Sequence, residues 1–391
     1  MNQIKQGYKQ TKVGIIPEDW EVVKLGNICK FYKGKGISKE NLSEEGIPCI
    51  RYGELYTTYN EKIDNVFSKT NVDIKELFLS KSNDIIIPAS GETAIDIATA
   101  SCVLHDNIAL SGDLNVIRTK ENGIFLSYYL NVVAKHRIAS IAQGVSVVHL
   151  YSSQLENLFL SLPPLKDQEK IAEILTTWDE AITKQTELLE AKELLKKALM
   201  QKLLSGEVRF GGFSDEWEEV RLGEICEIKK GEQLNKDTLE NDGEFPVING
   251  GIEPSGFTDE WNTEANTITI SEGGNSCGYV NFLQNKFWSG GHCYTLLNLQ
   301  IDKIFLYQFL KYNQHNIMKL RVGSGLPNIQ KSTIEKFTVS KPSFAEQQKI
   351  AEVLSLADDE INLLKNELEE LKLQKKALMQ KLLTGQVRVR V

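Results

Sequence analysis

The sequence lacks the common signatures of a catalytic site. Its 391 residues contain no G-x-x-x-x-G-K-[ST] phosphate loop, no G-x-G-x-x-G fingerprint and no H-E-x-x-H metal motif. It also lacks an Asn-Pro-Pro-aromatic segment, the kind that holds a flipped base in an amino-methyltransferase. The five histidines, at 105, 136, 149, 292 and 315, show no metal-ligand or nucleophile spacing. We therefore expect no catalytic residue, no bound metal and no cofactor.

Long apolar runs and paired cysteines are missing as well. No stretch reaches the roughly 18 apolar residues that a membrane span needs, and the polar start MNQIKQGYKQTK has no apolar core of a signal peptide. Six cysteines, at 29, 49, 102, 226, 277 and 293, include no C-x-x-C motif. We expect them to be small buried apolar side chains and not zinc ligands or disulfides. The sequence thus predicts a cytoplasmic protein without membrane contact.

Positive charge is in short supply. The net charge is −8, which disfavours a nonspecific polyanion binder. Residues 1–162 contain 17 basic and 18 acidic residues, and residues 210–341 contain 12 basic and 18 acidic residues. If nucleic acid is the ligand, local basic loops must contact it, and other subunits would supply the remaining positive field.

The chain contains an internal repeat. The block KKALMQKLLSGEVR at Lys196–Arg209 returns as KKALMQKLLTGQVR at Lys375–Arg388, 179 residues later, and this offset holds upstream to Pro163 and Pro342. A second pair, EDWEVVKLGNIC and DEWEEVRLGEIC, recurs at an offset of 197. Because the offsets differ, the copies share their ends and vary in their middles. The repeat therefore indicates two constant segments joined to two variable modules.

Both constant segments have the period of a long helix. Apolar residues spaced by three and four predict a coiled-coil seam. The predicted seam consists of Ile171, Leu175, Trp178, Ile182, Leu189, Leu199 and Leu203 in the first helix, and of Ile350, Leu354, Ile361, Leu364, Leu368, Leu371, Leu378 and Leu382 in the second. Gln185, Lys192 and Lys196 interrupt the first seam, and the neighbouring Leu188 and Leu195 predict that it shifts locally.

Prolines and glycines mark the ends of these helices. Pro163, Pro164 and Pro342 precede them, and Gly206 and Gly385 follow them, which predicts helices of about 40 residues. Two such helices in one chain most simply pack on each other as an antiparallel pair. The alternative, in which each helix binds another subunit, stays open.

The variable modules are residues 1–162 (module 1) and residues 210–341 (module 2). Each combines short β-like runs between Gly, Asn and Ser turns with one helical stretch, so each is predicted to be a mixed α+β domain. The runs are Asp84–Pro88, Ala265–Ile270 and Cys293–Leu297, and the helical stretches are Ile124–Ala142 and Lys303–Leu320.

Several loops join glycine to polar or basic side chains, as close approach to a phosphate backbone requires. Lysine and arginine would contact phosphates, while Ser, Asn and Glu side chains could read base edges. These candidates are Lys33, Lys35, Arg51, Tyr52, Ser90, Gly91, Glu92 and Thr93 in module 1, and Lys229, Lys230, Asn249, Ser271, Gly274, Asn275 and Ser276 in module 2. The repeat pairs Lys33 with Lys230 and Gly34 with Gly231. A solvated turn is the alternative for any single loop.

A second group of candidates lies just before each constant helix. It comprises Gln143, Ser146 and His149 in module 1, and Arg321, Ser324 and Asn328 in module 2. The glycines of these segments fit tight packing against the helix as well as they fit contact with a ligand, and both interpretations stay open.

These features together resemble the specificity subunit of type I restriction–modification systems. The resemblance covers nearly the whole chain. It rests on the openings IPEDWEVVKLGNIC and SDEWEEVRLGEIC, the Pro-x-x-x-x-Gln-x-Lys-Ile-Ala-Glu helix starts, and the ends LMQKLLSGEVR and LMQKLLTGQVR.

The resemblance implies an α+β fold in which two globular target recognition domains are separated by two long antiparallel coiled-coil helices, with pseudo-two-fold symmetry. The domains would be residues 1–162 and 210–341, and the spacer helices would lie in 163–209 and 342–391. Each domain would read half of a split sequence in double-stranded DNA. The implied partners are two methyltransferase subunits and, in the assembled complex, restriction subunits. Two alternatives are a coiled-coil scaffold whose globular domains bind proteins, and a self-contained modification enzyme.

Overall fold

The chain forms two compact units. Unit 1 consists of residues 1–185 and 367–391, and unit 2 consists of residues 186–366. The computed structural model describes residues 4–235, 239, 242–323, 325 and 327–390. Each unit therefore contains one module together with parts of both long helices.

Unit 1 is built around two mixed sheets. Its strands are β1 Tyr8–Thr11, β2 Gly14–Pro17, β3 Glu21–Lys24, β4 Cys29–Lys33, β5 Leu42–Ser43, β6 Ile47–Ile50, β7 Lys62–Ile63, β8 Lys69–Thr70, β9 Asp84–Pro88, β10 Ser90–Gly91, β11 Ser101–Val103, β12 Ala109–Leu110, β13 Leu114–Thr119, β14 Val148–His149 and β15 Phe159–Leu162. One sheet has five strands in the order β4-β13-β9-β11-β7, and the other has four in the order β12-β6-β8-β5. The central strand β9 is buried along its whole length, as its apolar run DIIIP predicts.

The helices of unit 1 that precede the first long helix are short. They are α1 Leu25–Ile28, α2 Glu54–Thr57, α3 Ala94–Ile97, α4 Gly123–Val132, α5 Lys135–Ile141 and α6 Ser152–Leu155. The single helical stretch expected over Ile124–Ala142 is thus divided between α4 and α5. Asn122 caps α4 because its side chain accepts a hydrogen bond from the amide of Phe125.

Unit 2 repeats this plan with fewer strands. Its elements are β16 Glu218–Arg221, β17 Glu227–Lys230, β18 Phe245–Ile248, β19 Phe257–Thr258, β20 Thr267–Ser271, β21 Val280–Leu283, β22 Trp288–Ser289, β23 Cys293–Leu297 and β24 Thr338–Lys341, with α8 Leu222–Ile225, α9 Lys303–Tyr312, α10 Gln314–Lys319 and α11 Lys331–Glu335. A sheet of order β17-β23-β20-β21 lies beside a three-stranded sheet of order β19-β18-β22. The pairing of β18 with β22 is parallel, as is that of β6 with β12 in unit 1.

Two helices, α7 Leu165–Leu204 and α12 Phe344–Leu383, have the 40-residue length that the sequence predicts. Each begins shortly after a proline, and Gly206 and Gly385 follow with φ values of 73° and 71°. This left-handed conformation ends a helix and favours glycine because a Cβ atom would be strained there.

Burial along α7 and α12 follows the predicted period. The lysines that interrupt the seam of α7 stay at their seam positions, and neighbouring leucines do not replace them. Lys192 and Lys196 remain half-buried at their seam positions, whereas Leu188 and Leu195 are 43% and 51% exposed. The expected local shift of the seam towards these leucines is therefore wrong. A lysine can keep its alkyl stem on an apolar surface while its ammonium group reaches a carboxylate.

Ion pairs join the two helices within each unit. In unit 2, Lys192 contacts Glu360 at 2.6 Å and Lys196 contacts Asp358 at 2.5 Å. In unit 1, Lys375 pairs with Asp179, and Gln185 donates to Glu367 at 3.0 Å. In each unit the paired positions rise along one helix as they fall along the other, which is the order of an antiparallel pair.

The carboxylates of two of these pairs also contact the modules. Asp179 accepts a hydrogen bond from the hydroxyl of Tyr128 in α4, and Asp358 accepts one from Gln308 in α9 at 2.7 Å. Asp179 and Asp358 are equivalent in the repeat, so both units connect module and helices through a carboxylate at the same helical position.

Candidate nucleic-acid interface

Two of the candidate loops of module 1, those after β4 and β6, meet at the end of the parallel strand pair β6 and β12. Here a cleft of 710 Å³, cleft 1, lies between the loop after β4, the loop after β6 and the loop after β12. Its lining includes Ser38, Lys39, Arg51, Tyr52 and Asp113. The cleft thus brings two basic side chains and an exposed aromatic ring together, a combination that suits nucleic acid.

Arg51 is held at cleft 1 through its backbone. Its amide donates to Glu54 Oε2 at 2.7 Å, while its buried side-chain Nε atom has no hydrogen-bond partner among the described residues. Glu54 is only 9% exposed and also accepts a hydrogen bond from Ser68, so this buried carboxylate holds the loop after β6 in place. The Arg51 side chain thus lines the cleft while one of its guanidinium donors is buried without a partner among the described residues.

A second cleft of 720 Å³, cleft 2, lies on the other side of Tyr52. It is lined by Tyr52, Tyr56, Ser90, Gly91 and Glu92, among others. The rings of Tyr52 and Tyr56 meet edge to face at 6.4 Å, and burial raises the pKa of Tyr56, so its hydroxyl stays neutral. Cleft 2 therefore offers hydroxyl groups and ring edges with little positive charge.

Unit 2 has a cleft at the corresponding place. Cleft 3, of 430 Å³, lies between the loops after β17, β18 and β22, and its lining includes Gln233, Asn249 and Gly290. The register of the parallel pairs makes Asn249 the counterpart of Arg51, since each follows the strand pair by one residue. The same position in the scaffold thus presents a cation in unit 1 and an amide in unit 2.

A charged cluster borders cleft 3. Glu272, which is 13% exposed, accepts hydrogen bonds from Lys230 at 2.5 Å, from Tyr294 at 3.0 Å and from His292 at 3.1 Å. Burial alone would raise the pKa of Glu272, but the hydrogen bonds from Lys230, Tyr294 and His292 outweigh it and lower that pKa. Lys230 is therefore neutralised within its own unit.

Gly34 and Gly231 hold the first loop against the strand pair in both units. A Cβ atom on Gly34 would lie 1.9 Å from the carbonyl oxygen of Ser111, and one on Gly231 would lie 2.3 Å from that of Gly290. Tight backbone packing therefore requires both glycines. Their recurrence does not by itself indicate a ligand.

The segments before the long helices form hairpins that dock on the loop after the central strand. Gln143 and His149 exchange backbone hydrogen bonds at 2.9 and 2.7 Å, and β14 pairs with β10, which places His149 opposite Ser90. In unit 2, Asn328 bridges to both Val322 and Gly273. Ser146 lies exposed in the first hairpin, and Arg321 is exposed beside the second. Ser324 lies outside the described residues.

Three candidates make hydrogen bonds that stabilise the loops of their own unit. Ser271 is 3% exposed and its hydroxyl donates to the carbonyl oxygen of Gly250 at 2.6 Å. Thr93 caps α3, because its hydroxyl accepts a hydrogen bond from the amide of Asp96 at 3.1 Å. Ser276 is half-buried and also donates to Gly250, at 2.8 Å.

The remaining candidates are distributed over both units. Lys33, Lys35, Lys229, Asn275 and Asn328 are exposed, and Gly274 is half-buried with a φ of 77°. The sequence interpretation missed Lys39, Tyr56 and His292, which line or border the clefts. Only Tyr56 carried a local signal, because it follows Tyr52 at the spacing of one helical turn.

Neither a metal site nor a membrane span is present in the described part of the chain. No group of three His, Cys, Asp or Glu residues there could hold a metal ion, and no helix among those residues has the length and apolarity to cross a membrane. The six cysteines are free thiols and five are buried. Burial raises the pKa of Cys49 to about 11 and that of Cys226 to about 12, as expected for apolar packing residues.

Both units thus carry a loop-lined cleft at the same place in an α+β scaffold. The sequence matches the family described as Type I restriction modification DNA specificity domain over residues 17–193 and 214–373. The chain belongs to that family.

Known proteins resemble the chain over nearly its whole length. The type I restriction enzyme MjaVIII specificity subunit of Methanocaldococcus jannaschii is 26% identical over 99% of this chain and 97% of its own length. The S subunit of a type I restriction–modification system from M. genitalium has the same fold, with a TM-score of 0.69 at 22% identity over 97% of both chains. A chain from a structure on complex assembly of the type I R-M system has a TM-score of 0.59 at 19% identity, over 95% of this chain and 99% of its own.

Proposed function

We propose that this chain is the non-catalytic, sequence-specific DNA-recognition subunit of a type I restriction–modification complex in the cytoplasm. Module 1 would read one half of a bipartite site in double-stranded DNA, and module 2 the other. One observation carries this proposal: the clefts at the ends of the two parallel strand pairs occupy the same place in the scaffold but differ in their side chains. A repeated scaffold with different linings suits two different half-sites.

The side chains at the clefts suit two kinds of DNA contact. In module 1, Lys33, Lys35, Lys39 and Arg51 would contact phosphates, because they gather at one set of loops. Polar groups near the clefts, such as Asn249 and Ser90, would read base edges in the major groove. The exposed side chains of the two hairpins would extend these surfaces.

The long helices would set the distance between the half-sites. Their seam residues would pack as a coiled coil, and its fixed length would define the gap between the two halves of the DNA site. Each helix segment, residues 163–209 and 342–391, would also help dock one methyltransferase subunit, since the segments are copies of one sequence. Restriction subunits would join through the assembled complex.

Module exchange tests this function. Replacing residues 210–341 with module 2 of another family member should change one half of the methylated sequence, mapped on genomic DNA treated with the assembled complex. The reciprocal exchange of residues 1–162 is the matched control and should change the other half. A change in both halves, or in neither, would contradict the modular assignment.

Salt dependence separates DNA recognition from a protein scaffold. Binding to random duplex should weaken as salt rises, because lysine and arginine contacts release counterions from the DNA. We expect this slope for the chain assembled with its methyltransferase subunits. Binding without a salt slope would favour the scaffold alternative.

A further inference from the structure

We propose that the long helices carry a charge pattern that favours pairing of α7 with α12 over pairing of like helices between two chains. The two helices descend from one repeat, so α7 could in principle pair with α7 of a second chain, and α12 with α12. The pattern that discriminates lies in the ion pairs that the repeat does not copy.

Two ion pairs of unit 2 lack a counterpart in the repeat. Lys192 of α7 contacts Glu360 of α12 at 2.6 Å, and Glu193 of α7 contacts Lys365 of α12 at 2.7 Å. A shift of 179 residues replaces the first pair by Leu371 and Ala181, and the second by Lys372 and Thr186. These two pairs therefore distinguish α7 from α12.

The more buried ion pairs make no such distinction. Lys196 with Asp358 and Lys375 with Asp179 are copies of each other under the same shift. A like pair of α7 helices would rebuild the same contact between Lys196 and Asp179. These pairs support antiparallel helices of either kind.

Like pairs of α12 would bring like charges together. In such a pair, Lys372 of the second chain would take the place of Glu193, opposite Lys365. Leu371 of the second chain would take the place of Lys192, opposite Glu360. Like charges and an unpaired carboxylate disfavour the pairing of α12 with α12. They do so without adding an attraction to the pairing of α7 with α12.

Like pairs of α7 lose the same attractions. Ala181 of the second chain would lie opposite Lys192, whose side chain is 31% exposed in its present ion pair. Each surface pair contributes little alone. An exchanged dimer would lose both asymmetric pairs in each of its two chains, so the small effects add.

The pattern has a consequence that rests on the proposed function. A chain that pairs its own α7 with its own α12 joins module 1 to module 2. An exchanged dimer would instead join like modules through like helices, so each pair of helices would hold two identical modules and read two identical half-sites. The charge pattern thus selects an asymmetric DNA site.

The test inverts the pattern in the full chain. The double substitution Lys192→Glu with Lys365→Glu places one new carboxylate opposite Glu360 and the other opposite Glu193 within one chain, while a like pair of α12 gains an attraction between position 365 and Lys372. Wild-type and variant chains are diluted from denaturant at equal concentration, and the dimer fraction is measured by sedimentation velocity. We expect a monomeric wild type and an increase in dimers on the order of tenfold in the variant.

Two controls isolate the pattern. Lys197→Glu with Lys376→Glu makes the same change in net charge at exposed, repeat-equivalent positions on the same helices, and should stay monomeric. Adding Glu193→Lys and Glu360→Lys to the inverted variant restores opposite charges within one chain and should restore the monomer. Lys365→Glu alone provides a milder variant if the inverted chain loses helix content by circular dichroism.

Three outcomes would overturn the inference. The first is an inverted variant that is as monomeric as the wild type, or, where that chain does not fold, a Lys365→Glu variant that is as monomeric. The second is an equal rise of the dimer fraction in the charge-matched control. The third is a wild type that already forms exchanged dimers. The measurement contains no DNA, so failure of the proposed DNA recognition would leave its result unchanged.

Discussion

Lysines end two equivalent strands, β4 in unit 1 and β17 in unit 2, but only one of the two lysines forms an ion pair. Lys230 in unit 2 donates to Glu272 at 2.5 Å, whereas Lys33 in unit 1 makes no ion pair with any described residue. By strand register, the counterpart of Glu272 in unit 1 is Ala89. One side chain beside the strand thus decides whether the common scaffold presents a free cation.

The glycines test whether both units need the same close packing. Gly34→Ala should destabilise unit 1 by about 3 kcal/mol, since its Cβ atom would meet a backbone oxygen that cannot move aside. Gly231→Ala should destabilise unit 2 by about 2 kcal/mol, because its closest contact is longer. Hydrogen exchange of amides in β4 and β17 reports each unit separately.

Gly36→Ala is the control for the glycine variants, because its Cβ atom would meet nothing within 4 Å. Unchanged exchange in β4 of the Gly34→Ala variant would show that the loop of unit 1 can move away. The two units would then differ in their packing and not only in their charges.

The repeat-equivalent carboxylates test the connection between module and helices. Asp179→Ala leaves Lys375 and Tyr128 without their acceptor, and both are well buried. We expect a loss of about 2–3 kcal/mol in the free energy of unfolding of unit 1, and a smaller loss in unit 2 for Asp358→Ala, whose partner Lys196 is more exposed. Urea unfolding followed by hydrogen exchange measures both.

Asp359→Ala is the matched control, since Asp359 is exposed on the same helix. If it costs as much as Asp358→Ala, the effect comes from helix charge and not from the connection to α9.

The lysine pair tests whether the free cation contacts DNA. Lys33→Ala should lower the slope of log K against log salt by about 0.9 in the assembled complex, as expected for one lost phosphate contact. Lys230→Ala should change it less, because Glu272 already neutralises that lysine. Glu272→Gln should raise the slope.

Lys75→Ala controls for net charge, because Lys75 is exposed and lies outside the lining of the described clefts. If Lys33→Ala and Lys230→Ala lower the slope of log K against log salt equally, the ion pair with Glu272 does not keep Lys230 from contacting DNA.

Acid should affect the two units differently, though only slightly. The lowered pKa of Glu272 means that its hydrogen bonds stabilise unit 2 fully above the ordinary carboxyl pKa of 4.5. This stabilisation is lost as the pH falls through the lower folded pKa. Hydrogen-exchange protection around residues 271–276 should therefore drop in acid in the wild type.

In the Glu272→Gln variant, which lacks this carboxyl group, the hydrogen-exchange protection around residues 271–276 should not show this drop in acid. The loop after β9 of unit 1 has Ala89 at this position and provides an internal comparison. A parallel loss of protection in both loops would point to general acid unfolding.

The sequence predicts the long helices well because their signals are local. Prolines, glycines and a repeating apolar spacing define α7 and α12 without reference to distant residues. The predicted shift of the seam at Lys192 and Lys196 is wrong because it ignores their ion-pair partners. Glu360 and Asp358 lie more than 160 positions away, and no local pattern indicates them.

The candidate interface was predictable only in part. Arg51 in unit 1 and Asn249 in unit 2 each line a cleft beside the parallel strand pair of their own unit. The burial of Ser271, in contrast, depends on the carbonyl of Gly250 in a separate loop. Glu272 and His292 acquire their importance from strand order, which places β23 between β17 and β20. Such non-sequential neighbours cannot be derived from spacing.

The hydrophobic core of unit 1 includes Leu382 and Leu383 beside Trp20, and Tyr8 donates to the carbonyl oxygen of Gly385 at 2.8 Å. During translation, module 1 leaves the ribosome long before these residues exist. Unit 2 is continuous in sequence and can close earlier. A chain halted after residue 366 would therefore hold a complete second unit and an unfinished first one, so the ribosome must finish almost the whole message before the first-made module can complete its core.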